Sequence, residues 1–300
     1  MIFQKLATLA VLCNQIAEGK NIIGTSQVSR TLRGEWIEQF YDHRVRREEI
    51  DGAKGFRPLA TMMLYMTGFG SNRKDPQLKN NFEMELGDLE TKFTNYGCYC
   101  WIDGVDAGVI GGGATKDVSD HHCKELYRCY KCVNNDYAKN YTDVGYSVDF
   151  TMKNGVRQLD CDANSKQDAQ NICECDKRFA ENIAAAMGSC QAGDADDAEW
   201  GAHCMDEQYR TATGGGSFDP RKQCNKKFHG HDKDSCCGIY PNRYPYDSTL
   251  NDCCRTQMRD PDTLKQIDVF SVQQLGVCSG AGGDVVRSLE GDPHTYINVA

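Results

Sequence analysis

Sixteen of the seventeen cysteines in this 300-residue chain fall between Cys98 and Cys278, and that crowding constrains the fold more than any other feature. A dense, even set of cysteines reads as a disulfide framework made in an oxidising compartment. Zinc ligation is the alternative, and the spacing speaks against it. There is one C-x-x-C (Cys129, Cys132), two C-x-C, and two adjacent pairs, Cys236-Cys237 and Cys253-Cys254. Cys13 stands apart, in the apolar run LATLAVLC behind Lys5, which is too short to span a bilayer. Ala17 and Gly19 suit a cleavage site, so residues 1–19 read as a signal peptide that would carry Cys13 away and leave an even count. No other segment is apolar enough for a transmembrane span. The expectation is a secreted, extracellular protein.

The net charge of -9 argues against a nucleic-acid partner, which would need clustered Lys and Arg. An acidic surface favours cations, mineral surfaces or basic partners. Residues 20–47 lack cysteine and end in Arg44-Val45-Arg46-Arg47, a run that suits an arginine-selecting convertase. This stretch reads as a propeptide processed after Arg47; the bland alternative is a solvated charged turn.

From Pro58, the residues Leu59, Met62, Met63 and Met66 recur at helical spacing, with Pro58 suited to a first turn. A second helix is expected from Asp75-Pro76 on, with Leu78, Phe82, Leu86, Leu89 and Phe93 on one face. A third runs from Asp120 to about Asn134. SVDFTMKNGVRQLDC then reads as a hairpin turning at Asn154-Gly155. Residues 166 to 190 form a long helix with Ile172, Cys175, Phe179 and Ile183 on one face. Beyond 190 the order fades: TATGGGS looks like a linker, and the rest shows few periodic runs.

Four pieces, in this order, resemble the secreted phospholipase A2 family over about residues 56–190. They are NYGCYC (95–100), D-x-x-C-x5-C-Y (120–130), the Asn-Gly hairpin, and C-E-C-D (173–176). The resemblance implies a mainly α, disulfide-rich fold: two long antiparallel disulfide-linked helices with a β-hairpin wing. It also implies a mechanism, in which a helix histidine acts as general base, an aspartate orients it, and the next helix residue, an aspartate, binds calcium. Anchored on Cys123 and Cys129, the histidine position is Leu126 and the calcium-aspartate position is Tyr127. Leucine has no lone pair, and a neutral tyrosine is no substitute for an anionic ligand. Trp101 stands where the family's loop has glycine. Asp176 matches the orienting aspartate and Tyr130 a tyrosine bonded to it, with Tyr146 a candidate second. The resemblance thus implies no catalytic residues, no cofactor, and no calcium at the family position.

Two substitute sites suggest themselves. His122, beside His121, lies one turn before Leu126, but it replaces a family cysteine whose partner position is Asn182, which makes a structural role the simpler reading. His229 and His231 read as a solvated loop or a metal pair. By resemblance, Cys100 pairs with Cys123, Cys129 with Cys175, Cys161 with Cys173, and Cys98 with Cys190 or Cys204, leaving Cys132 to find a partner elsewhere. Asn140 opens a glycosylation sequon. GDPH (291–294) resembles the opening of a von Willebrand D-type domain, though little chain follows it.

The expected organisation is a phospholipase A2-like domain over 56–204, a linker over 205–222 and a Cys-rich module over 223–300. The expected function is non-catalytic binding by an otoconin-like protein of the extracellular matrix, a mineral surface or lipid. The acidic residues Asp194, Asp196, Asp197, Glu199, Asp206 and Glu207 favour the mineral-matrix role. Two alternatives stand beside it: a calcium-dependent phospholipase A2 with a displaced site, and a lipid or receptor binder using a channel lined by Leu59, Met63 and Leu126.

Overall fold

The computed structural model describes residues 56–67, 93, 96–100, 113–190, 205–212, 215–224, 233–261, 263–289 and 291–299. The expected signal peptide, the propeptide with Arg47, the helix from Asp75 up to Phe93, Trp101 and its loop, Cys204, four of the acidic residues (194–199), and His229 with His231 lie outside these residues.

Helix α1 spans Phe56–Thr67. The expectation was one apolar face, but every residue from 58 to 65 is buried. A helix apolar nearly all round is covered on all sides. Helix α2, Val118–Tyr137, starts where the Asp117 side chain accepts the Asp120 amide at 2.8 Å. It stops at Ala138, in the left-handed conformation, whose N–H reaches Asn134 O at 2.9 Å. Helix α3, Gln167–Cys190, buries Ile172, Cys175, Phe179 and Ile183. The hairpin between them pairs β1, Asp149–Lys153, with β2, Val156–Asp160. Asn154 and Gly155 both take positive φ, as a two-residue hairpin turn of this hand requires.

The remainder is not the mainly helical chain expected. Strand β3, Ser235–Ile239, pairs with β4, Asn242–Tyr246. Strands β5 (Asn251–Arg259), β6 (Gln266–Gln274), β7 (Asp284–Leu289) and β8 (Asp292–Asn298) form an antiparallel sheet in the order β6-β5-β7-β8. The fold mixes a helical core with β-structure, because the polar-looking tail is held by cysteines more than by an apolar stripe.

The adjacent cysteines explain how. Neighbours on a strand point to opposite faces. On β3, Cys236 therefore bonds Cys132 of α2 while Cys237 bonds Cys253 of β5. On β5, Cys254 points the other way and bonds Cys278 in the short helix α4, Val277–Gly280.

The segment expected to be a linker is packed. Met205 and Phe218 are buried in the helical core, Gly97 N–H donates to Tyr209 O at 3.0 Å, and Cys98 bonds Cys224. This corrects the expected pairing of Cys98 with Cys190 or Cys204: Arg210 pairs with Tyr96, Phe218 with Thr211, and Cys224 follows within bonding reach of Cys98. Gly97 has φ 60°, and a Cβ there would lie 2.5 Å from an Asp120 carboxyl oxygen, so NYGCYC needs its glycine.

Candidate functional site

The site lies between α2 and α3, joined by Cys129–Cys175; Cys100–Cys123 ties the start of α2 to the preceding loop, and Cys161–Cys173 ties α3 to the wing. Asp176 is buried, and a buried carboxylate needs partners. The structure brings Tyr130 and Tyr146 to it: the Tyr130 hydroxyl donates to one carboxylate oxygen and the Tyr146 hydroxyl to the other. Burial, then the Asp176 charge, pushes both phenols well above their usual range, so both remain donors. Tyr130 also stacks on Tyr141, with ring centres 4.1 Å apart.

Leu126 lies one turn before Tyr130 and is 3% exposed. It lines a small cavity with His122, Glu125, Arg178, Asn182 and Pro241. His122 and Asn182 thus line one space. Pro241, in the β3–β4 turn, closes this groove and accepts from Arg178 at 3.1 Å. Leu59, Met63 and Leu126 all belong to the packed core.

His122 is half-buried. Burial first, then the neighbouring His121 and Arg178 charges, lowers its pKa, with Glu125 opposing. The folded chain therefore binds this proton less readily than the unfolded chain does. Stability from this group is full above about pH 6.5 and falls as pH drops from there through the lowered folded value. His122→Gln is expected to flatten part of that fall in urea midpoints measured across pH; His294, also lowered by burial, supplies a similar part that remains.

Tyr127 is 39% exposed, with its ring 6.4 Å from that of Tyr99. Burial pushes its phenol up, so it carries no negative charge near neutrality. Tyr99 donates to Gly113 O at 2.7 Å and has Lys124 over its ring at 5.1 Å. Asp120 is buried and engaged by the Cys98, Tyr99 and Lys116 amides. Among the described residues no three His, Cys, Asp or Glu side chains converge so as to hold a metal ion. Asn140 is exposed just after α2, a placement open to the glycosylation its sequon suggests.

One feature was not anticipated. Arg243 of β4 is wholly buried and grips Asp136 of α2 by two hydrogen bonds, at 2.7 and 2.9 Å. It also donates to Gly238 O, Tyr296 Oη and Ser288 Oγ. Tyr240 adds a third bond to Asp136 at 2.7 Å.

These features define a disulfide-stapled two-helix domain with a buried aspartate bonded to two tyrosines and a buried leucine one turn before the first of them. Over 89 residues, 29% of this chain and 67% of the relative, the sequence is 30% identical to a phospholipase A2 of Ovis aries. It is 30% identical over 89 residues to acidic phospholipase A2 KBf-grIB of Bungarus fasciatus, spanning 58% of that protein. With basic phospholipase A2 nigroxin A of Micrurus nigrocinctus the identity is 30% over 111 residues, 37% of this chain and 84% of the relative. No family model matches the chain. The chain belongs to the phospholipase A2 family, and these three matches cover 29 to 37% of it. Among the described residues no helix is long and apolar enough to cross a membrane.

Proposed function

We propose that this chain is a secreted, non-hydrolysing member of the phospholipase A2 family that acts by binding an extracellular matrix, mineral or lipid partner. The observation that carries the reading is the Leu126-Tyr127 pair. Asp176, read as the aspartate that would orient a histidine, is hydrogen-bonded to two tyrosines, while the residue read at the histidine position, Leu126, is a buried hydrocarbon. Without a base, water is not activated; without calcium, a developing oxyanion loses its main stabiliser. Seven disulfides among the described residues support residence in an oxidising compartment and keep the fold independent of a metal. The net charge of -9 favours a mineral-associated role.

The test is fatty-acid release from phospholipid vesicles by the purified chain, with and without calcium, beside an active phospholipase A2. No release above background is expected. Calcium-dependent release would sink the reading. If that release survived Leu126→Ala and vanished in His122→Ala, the base would have moved one turn along α2.

A further inference from the structure

The four-stranded sheet of the tail ends on β6 at one side and β8 at the other, and the two edges are built differently. Strand β8 carries Pro293, and its pairing with β7 shifts register at Ser288/Leu289. Proline and a break in register both keep an edge from pairing with a further strand. Strand β6 has neither. Its nine residues pair with β5 in continuous register, and they contain no proline, no lysine and a single charge, Asp268.

The direction of the β6 backbone groups follows from the ladder. Leu275 N–H donates to Leu250 O at one end of the β5–β6 pair, and Asp260 N–H to Lys265 O at the other. Hydrogen-bonded pairs alternate in an antiparallel ladder. The odd-numbered residues of β6 therefore bond β5, while the N–H and C=O groups of Gln266, Asp268, Phe270, Val272 and Gln274 point outward. Among the described residues no hydrogen bond reaches these outward groups. Apolar side chains stand exposed at both ends of the same edge. Met258 and its partner Ile267 lie at one end, Leu250 and its partner Leu275 at the other, and all four are 43 to 56% exposed. By strand alternation they share one face of the sheet.

We propose that β6 is the contact of a twofold dimer, in which the edges of two copies pair antiparallel about Phe270 and join two four-stranded sheets into one of eight strands. In this register Phe270 faces its own copy, Asp268 faces Val272 of the second copy, and Gln266 faces Gln274. Each of the five outward pairs exchanges two backbone hydrogen bonds. The one charged residue is kept away from its copy, whereas pairing centred on Asp268 would set two carboxylates opposite each other. The twofold also brings the exposed apolar ends together. Ile267 of each copy becomes a diagonal neighbour of Leu275 in the other, on the face they share. The rims of the joined sheet are then the two β8 strands with their proline, so the assembly closes at two. This contact lies in the tail and does not depend on whether the helix pair hydrolyses lipid.

The test is the mass of the full chain in solution, by sedimentation equilibrium across the micromolar range. A reversible dimer is expected. Val272→Glu sets a carboxylate opposite Asp268 at two symmetric positions and should raise the dissociation constant about tenfold. Val272→Lys sets an ammonium group there instead and should associate at least as tightly as the parent. Adding Asp268→Lys to Val272→Glu reverses the pair and should restore association. A general effect of charge at an exposed position would weaken both single variants alike, so the difference between them reads the register. Thermal melts check that each variant keeps its fold. The proposal is overturned if the chain is a monomer throughout, which would leave the edge to a strand of another protein. It is overturned equally if both single variants dimerise like the parent, or if both weaken the dimer to the same extent.

Discussion

Arg243→Ala is expected to lower the free energy of unfolding by about 3–5 kcal/mol, the range for removing one member of a buried ion pair. The loss is large because of what remains. Asp136 is left with one tyrosine hydroxyl in place of two guanidinium contacts, and Gly238 O, Tyr296 Oη and Ser288 Oγ each lose a partner. The alanine also leaves a cavity among the Tyr240 and Tyr296 rings, which the guanidinium carbon approaches to 5.7 and 5.9 Å. Arg243→Lys keeps the charge but cannot reach these acceptors at once, so it should recover only part of the stability. Urea unfolding of the disulfide-intact variants reads the effect. A loss below about 1 kcal/mol, the range of a surface pair, would show that this network does not hold the tail against α2.

The second large effect is expected on opening Cys132–Cys236, which closes a loop with a sequence separation of 104. Chain-entropy reasoning, allowing for the Cys98–Cys224 bond that already shortens the free loop, gives about 3–4 kcal/mol. Replacing both cysteines by serine avoids a reactive thiol. The quantity to measure is again the urea midpoint, with the unfolding slope as a check that the denatured chain expands. An unchanged midpoint would mean that Arg243 and its partners alone suffice. Because the bond and the ion pair span the same interface, the triple variant is expected to depart from additivity.

How far the chain could be read from its residues varied along its length. Helix α2 was legible because Cys123, Leu126, Cys129, Tyr130 and Val133 repeat at helical spacing; its Asp117 cap was missed, so the expected start at Asp120 fell two residues late. The wing was legible because Asn154-Gly155 tolerates positive φ at both positions. The Asp176–Tyr130–Tyr146 cluster joins three separate elements, and only the family resemblance suggested it. The tail strands were opaque for a physical reason: they bury little. Met258, Ile267, Leu289 and Ile297 remain exposed, so no clean alternation marks a face. The overlooked signal was the adjacent cysteines, which on a strand must serve two surfaces. Arg243 gave no local sign, since its partner Asp136 lies 107 residues away and neither residue is unusual alone.

The bond between Cys132 and Cys236 also alters what a single peptide-bond cut does. A nick between Cys224 and Cys236 would ordinarily free everything downstream as a fragment. Here the two pieces stay one covalent molecule, separating only under reduction. Limited proteolysis in an oxidising environment would thus produce a two-chain form whose halves, and whatever each has bound, still travel together.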